Sequence, residues 1–338
     1  MDLRAAIDAE LTRWGDPVVE RAAFQSVDAH AIAQRLERLC DEELGAVIVD
    51  CAFYRASVGC VAGVELEDGR HVVLKVHQPM RSAEQLRACA AVQALLAARG
   101  FPCPEPLLAP TALAGLASLA TAESFLPPGD RRDAHEPQVR RALAAALQRL
   151  IALADPERVA QGLTSAWFTG LGPRLWPRPH NALFDFEATT RGAEWIDALA
   201  RRARRTPLAG TKVVGHFDWR AEHVGFDGRG LCAVYDWDSL HHELEPIAVG
   251  AAAHAFPAQH DREGFPCAPS LEEIEAFIAD YEDARGAAFS AAEGRLARAA
   301  CVYGIAYTAR CEHAIDLPRP RPFGALLEDT GGALLAPK

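Results

Sequence analysis

VVGHFDWRAEHVGFDGRGLCAVYDWDSLHHELEP, residues 213–246, is the stretch of the chain richest in chemistry-bearing residues. Apolar residues run into His216, and Asp218 follows in a short loop. His223 to Phe226 then reads as a strand, Asp227-Gly228 as a turn, and Leu231 to Tyr235 as the returning strand. Pairing across that turn sets residues near 223 opposite those near 234. The open end of the hairpin therefore gathers Asp218, His223 and Asp236. Two carboxylates and an imidazole so placed suit a divalent cation and the positioning of a nucleophile. The plainer reading, a polar loop with capping aspartates, is disfavoured because the acids flank apolar strands. Asp238 reads as a further site carboxylate or, preferably, as the N-cap of a helix beginning near Ser239. His241 and His242 then fall in a loop or helix start near a substrate mouth. A transition-metal cluster of His216, His223, His241 and His242 with Asp236 and Asp238 is an alternative whose spacing fits no established hydrolase pattern.

Outward from this stretch the chain changes character once. The first forty residues have apolar residues three and four apart and read as helical. From Ala46 to Val76 the pattern is β, with VIVDCAFYRASVGCVAGVEL followed by an Asp-Gly turn and HVVLKV. Ser82 to Arg99 is a helix with Ser82 as N-cap and Gly100 as stop. Prolines 102, 104 and 106 enforce an extended segment, and a second hairpin ends at AESFLPPG. Beyond Pro127-Pro128-Gly129 helices dominate: Pro137 to Ala154, Glu194 to Arg205, Leu271 to Arg285 and Ala291 to Ile315, interrupted by a β island over Val213 to Asp236. The expected fold is α+β, with a small β-sheet lobe carrying one embedded helix over 1–126 and a larger, mostly helical lobe over 127–338.

Composition narrows the function classes. The 338 residues are half hydrophobic and 24% charged, with a formal net charge of -11. That balance builds a core, argues against disorder, and disfavours a nucleic-acid or anionic-membrane partner. The nine cysteines never form a CxxC pair, which fits a reducing cytoplasm better than a disulfide framework or zinc ribbon. MDLRAAIDAELTRWGD carries acids among its apolar residues and does not read as a signal peptide, and the longest uncharged run, Pro106 to Ala122, is too short and too broken to span a bilayer. A soluble, cytoplasmic chain is expected.

Only three of the 35 basic residues are lysines, Lys75, Lys212 and Lys338. The skew reflects coding bias, yet it makes Lys75, in mid-strand within HVVLKVH, conspicuous. Strand alternation puts Val73, Lys75 and His77 on one face and Val72, Leu74 and Val76 on the other. A mid-strand lysine is ordinarily an edge gatekeeper. Where arginine performs nearly all solvated cationic duty, a phosphate-gripping ammonium is the better reading.

These two features, in this order, resemble the aminoglycoside phosphotransferase and choline kinase group, relatives of the protein kinases. The group's signature of His-Gly-Asp, four residues, Asn, a hairpin, then Asp-Trp or Asp-Phe is met here by His216-Phe217-Asp218, His223 and Asp236-Trp237. The resemblance implies a bilobal kinase-like fold and transfer of the γ-phosphate of ATP or GTP to an alcohol. It makes Asp218 the residue that accepts or orients the hydroxyl proton, with His216 bracing its loop. It makes Asp236 a ligand of Mg2+, and Lys75 the grip on the α/β-phosphates. Arg220 either reaches the transferred phosphate or forms a structural salt bridge. Glu123 to Leu126, with Phe125 among them, is expected to meet the base edge through its backbone. Ser57, in the turn near Tyr54 to Val58, is expected to lie over the donor phosphates.

The departures from the group's pattern are specific. His223 stands where an asparagine ligates the second metal, and imidazole is a poor Mg2+ ligand. Phe217 replaces a glycine. Counting back from Gly100 places the helix glutamate that normally pairs with the lysine at Cys89, so Glu84, five residues earlier, is the substitute. The expected acceptor is an antibiotic of aminoglycoside or nucleoside type, implying resistance, or a similar metabolite. A catalytically silent nucleotide-binding relative and a metal-dependent hydrolase are the alternatives. The RRARR run at 201–205 and the acidic face of LEEIEAFIADYEDAR read as solvated surface, and Trp167, Trp176 and Trp195 as core by default.

Overall fold

A computed structural model describes residues 1–13, 16–165, 167–180, 183–260, 262, 264–315 and 321–336; Lys338 lies outside them. The chain divides into two compact units, Met1–Ala97 with Pro104–Pro127 and His180–Leu183, and Ala98–Cys103 with Pro128–Pro179 and Phe184–Lys338.

In the first unit, helices α1 (Leu3–Arg13), α2 (Val18–Phe24) and α3 (Ala29–Leu39) precede the sheet. Asp28 starts α3 by accepting the Ala31 N–H at 2.9 Å. Strands β1 (Ile48–Ala56), β2 (Cys60–Leu66) and β3 (His71–His77) lead to helix α4 (Ala83–Ala98), then β4 (Pro106–Ala112) and β5 (Leu119–Ser124). All pairings are antiparallel, in the order β1-β2-β3-β5-β4. The long apolar stretch after Ala46 is two strands, broken at Ser57–Gly59. A Cβ on Gly59 would lie 2.7 Å from the Val76 carbonyl oxygen, so only glycine lets this turn close against β3.

Alternation in β3 holds. Val72, Leu74 and Val76 join Ala62, Val64, Ala120 and Ala122 in one core with Ile7, Phe24, Ile32 and Leu36 of the three N-terminal helices. Each such large apolar side chain contributes about 1.5–3 kcal/mol by leaving water. The register pairs Val73 with Glu123 and Lys75 with Thr121, so these four share the opposite face.

The second unit contains α5 (Pro137–Leu153), α6 (Pro156–Val159), α7 (Glu194–Arg204), β6 (Lys212–His216), β7 (Val224–Asp227), β8 (Gly230–Val234), β9 (Leu240–Leu244), α8 (Glu245–Ala253), α9 (Leu271–Arg285), α10 (Ala291–Ala314) and α11 (Pro322–Leu334). Helix α10 packs against α7, α8 and α11, and α5 against α9. Ser270 and Ser290 begin α9 and α10 with reciprocal capping boxes to Glu273 and Glu293.

Several sequence expectations need correction here. No helix begins at Ser239: residues 237–239 form a single 3-10 turn, and 240–244 is strand β9, paired with β6 from Lys212↔Leu244 to His216↔Leu240. Asp238 therefore caps no α-helix, and His241 and His242 sit in a strand. The acids of α9 are only in part a solvated face, with Glu272 and Asp283 exposed and three others paired. Asp280 pairs with Arg140 at 2.8 Å, Glu275 with Arg298 at 2.8 Å and Glu273 with His135 at 2.8 Å. At the end of α7, Arg201, Arg202 and Arg205 are exposed as expected, while Arg204 donates to the Arg174 carbonyl. Trp167 and Trp176 pack edge-on or tilted against Tyr303, whereas Trp195 is exposed.

Candidate active site

In the second unit the loop between β6 and β7 is built around His216, which is fully buried. The edges of Trp219 and Trp237 meet its ring at centroid distances of 5.6 Å each. Its Nδ1 accepts the Asp218 N–H at 3.2 Å, and its Nε2–H donates to the Tyr235 carbonyl at 3.2 Å. Burial pushes its pKa down to about 4, so the ring is a neutral brace with both nitrogens committed. The indoles are anchored too: Trp219 donates to the Leu143 carbonyl of α5 at 3.2 Å, and Trp237 to that of Val234 at 2.9 Å. Phe217 turns away from the loop into the aromatic cluster, 5.3 Å from Trp167 and 5.0 Å from His241.

So held, Asp218 points its Oδ2 at Arg220 Nη2, 2.7 Å away. Burial works against its charge, but Arg220, His223 and His216 outweigh it and hold the carboxyl well below the usual range. His223 donates from Nδ1 to the Asp218 carbonyl at 2.9 Å. That bond fixes the tautomer and leaves the lone pair on Nε2, which lies 3.3 Å from Arg220 Nη2 and 3.7 Å from Asp236 Oδ2. Burial, then Arg220, lowers the His223 pKa, consistent with a neutral ring. Asp236 sits in the left-handed region, φ 65° and ψ 52°, one of two non-glycine residues with positive φ among those described. Such strain at a carboxylate facing an imidazole is the kind that site geometry imposes. Among the described residues, Asp218, His223 and Asp236 form the one group of three or more whose ligand atoms converge, all within 4.8 Å of one another. His216, Asp238, His241 and His242 do not join it. His241 is turned to Thr164, with its Nδ1 3.1 Å from that carbonyl.

Sequence reasoning missed two residues here. Glu222 receives Arg220 Nη1 at 2.9 Å and the His260 N–H at 2.7 Å, and these partners take its pKa down to about 2 against the opposing effect of burial. Arg220 is thereby clamped between Asp218 and Glu222, a salt bridge that ties the two carboxylates of this loop together. Glu222 lies within the quoted stretch; its partner His260 lies beyond α8, where nothing local signalled it.

In the first unit, Lys75 Nζ lies 3.0 Å from Glu123 Oε1, with side chains only 12% and 9% exposed. Gln93 of α4, buried, donates Nε2 to Glu123 Oε2 at 2.9 Å and to the Pro104 carbonyl at 2.9 Å. The expectation for Glu84 is corrected: it is exposed on the first turn of α4, and the carboxylate at Lys75 comes from strand β5. Cys89 is buried beside Gln85, whose Nε2 lies 3.7 Å from its Sγ. In the expected base-edge segment, the N–H groups of Ser124 and Phe125 donate to the Glu105 and His71 carbonyls at 2.8 and 3.0 Å. Ser57 is exposed in the β1–β2 turn, where its N–H donates to the Gly59 carbonyl at 3.0 Å.

Comparison with known proteins gives a consistent result. The family described as Phosphotransferase enzyme family matches residues 63–244, more than half of the chain. No curated protein sequence matches. Among solved structures, an amicoumacin kinase in complex with AMP-PNP, Ca2+ and Ami is 13% identical, with 89% of this chain and 92% of that one covered and a TM-score of 0.59. A spectinomycin phosphotransferase in complex with ADP and its antibiotic is 11% identical over 89% and 98% of the two chains, TM-score 0.54. A macrolide 2'-phosphotransferase is 17% identical over 90% and 97%, TM-score 0.54. At these identities the likeness establishes the fold, that of kinase-like phosphotransferases.

Proposed function

Because the chain belongs to the phosphotransferase enzyme family, we propose that it moves the γ-phosphate of ATP or GTP to a hydroxyl of an antibiotic, of aminoglycoside or nucleoside type, or of a similar metabolite, and so serves antibiotic resistance. The observation that carries the reading is the ionised Asp218, held by Arg220 within a loop braced by His216, in the same group as His223 and Asp236. An alcohol oxygen attacks the γ-phosphorus, the bond to the β–γ bridging oxygen breaks, and the hydroxyl proton passes to Asp218. The products are a phosphate monoester and a nucleoside diphosphate. Such chemistry asks the protein for position and charge more than for covalent participation. Lys75 is assigned to the α/β-phosphates and Ser57 to their neighbourhood. Arg220 orients Asp218.

A divalent ion fits the second unit's residues: two hard carboxylates and one neutral imidazole nitrogen converge within 4.8 Å. Asp236 would hold it, with His223 favouring a softer ion than Mg2+ at its own position. When bound, the ion supplies charge neutralisation for the nucleotide phosphates. The spectinomycin and amicoumacin complexes of structural relatives support an antibiotic acceptor.

The test is ADP release with Mg2+ and a panel of antibiotics, compared between wild type and Asp218→Ala. Loss of the proton acceptor is expected to lower kcat by about 10²–10⁴-fold with little change in ATP affinity. A variant as fast as wild type would remove Asp218 from the chemistry. Tight stoichiometric zinc or manganese without nucleotide binding would favour the hydrolase instead.

A further inference from the structure

In a kinase-like lobe the lysine that grips phosphate needs an acid to aim it, and this chain's α4 offers only Glu84. That residue precedes Gln93 by nine positions, about 13 Å along the helix axis at 1.5 Å per residue. Gln93 of α4 reaches the lysine's surroundings, and it is neutral. An acid does stand at Lys75, and it is Glu123. It belongs to the strand directly paired with the lysine's own, one register step along the same face: Lys75 opposes Thr121, and Val73 opposes Glu123. Its carboxylate has one oxygen on Lys75 at 3.0 Å and the other on Gln93 at 2.9 Å. Both atoms of the acid are thus occupied, and the pair is nearly out of water.

We infer that Glu123 is the positioning residue of Lys75, so that a strand-to-strand ion pair takes the place of the helix-to-strand pair, with Gln93 of α4 serving to orient the acid. The assignment rests on the phosphotransferase reading above. Two adjacent strands of one antiparallel sheet hold the ammonium and its carboxylate, so the lysine is aimed by the sheet ladder, and α4 contributes only a neutral hydrogen bond. A shift of α4 would loosen that bond without breaking the ion pair.

The experiment compares Glu123→Gln, Glu84→Gln and the double variant Gln93→Glu/Glu123→Gln by ADP release and by calorimetric titration with ATP and Mg2+. In Glu123→Gln kcat is expected to fall roughly ten- to a hundredfold, the scale of a misplaced phosphate grip. ATP affinity moves far less, because the carboxylate lost is also one that repelled phosphate. The double variant returns a carboxylate to within one hydrogen bond of its former place and recovers most of the loss, which restored packing alone would not do. If Glu123→Gln does not fold, Glu123→Asp, which keeps the charge and shortens the reach, is measured instead and loses kcat to a smaller degree. Glu123 variants within twofold of wild type, or a loss confined to Glu84→Gln, would overturn the inference. Wild type that binds ATP but releases no ADP with any acceptor would overturn the transferase reading itself, and that result is visible before any variant is compared.

Discussion

Asp236 carries a left-handed backbone, φ 65°, in a chain whose other described left-handed turns are nearly all glycine. Asparagine and aspartate tolerate that region best after glycine, because their short side chains bond locally. Asp236→Asn is therefore expected to unfold within a degree or two of wild type while losing Mn2+ affinity by tenfold or more, read by calorimetry; unchanged affinity would remove Asp236 from the ligand set. At this scale the sequence spoke unevenly. Lys75 stood out because arginine supplies almost every other cation, and Asp218, His223 and Asp236 stood out because the hairpin arithmetic brings them together. Gln93 did not, and Glu123 stood out only for its backbone. The lysine's acid comes from a diagonal cross-strand position, and register is decided by tertiary pairing that no local pattern prints. Gln93 was hidden one helical turn past Cys89, the position that counting reached; a buried amide in a largely apolar helix was the available signal, and Gln85 shares it.

Among the elements, those that begin at a capping serine matched expectation: α4 opens beside Ser82, whose Oγ accepts the Gln85 N–H at 3.4 Å, and α9 spans Leu271–Arg285 behind Ser270. Strand β9 was misread because LHHEL carries no two-residue alternation. It buries Leu240 and Glu243, and its strand state is bought by pairing with β6 rather than by propensity. Glu243 is fully buried yet satisfied, accepting from Thr169 N at 2.9 Å and Thr169 Oγ1 at 2.8 Å. Helix α8, buried along its whole length, escaped because an all-apolar run shows no amphipathic period. Its approach to α10 is close enough that a Cβ on Gly250 would lie 2.1 Å from the Ala297 carbonyl oxygen. Gly250→Ala should cost about 1–3 kcal/mol of overpacking despite alanine's better helix propensity, measured as a lowered urea midpoint. A stabilised variant would show that the two helices separate freely.

The molecule as a whole divides into two compact units. No helix among the described residues is long and apolar enough to cross a membrane. The stability of the second unit should depend on acid through His254, which is packed against Gly304 and near Trp167 and Phe323. Burial pushes its pKa down to about 4, below the 6.5 of a free histidine. Between those values the unfolded chain binds the proton and the folded chain does not, so stability falls as pH drops through that window. About 2 kcal/mol should disappear between pH 7 and pH 5 from this group. His254→Asn should flatten that part of the urea-midpoint profile; an unaltered slope would assign the acid sensitivity elsewhere.

The central claim, phosphoryl transfer to a small-molecule hydroxyl, is tested most directly by mass spectrometry of an antibiotic and metabolite panel incubated with the protein, Mg2+ and either ATP or GTP. One compound class is expected to gain the mass of a single phosphoryl group, with matching nucleoside diphosphate, and to gain nothing with Asp218→Ala. Nucleotide binding with no phosphorylated product from any compound, or an equal gain with the alanine variant, would contradict it.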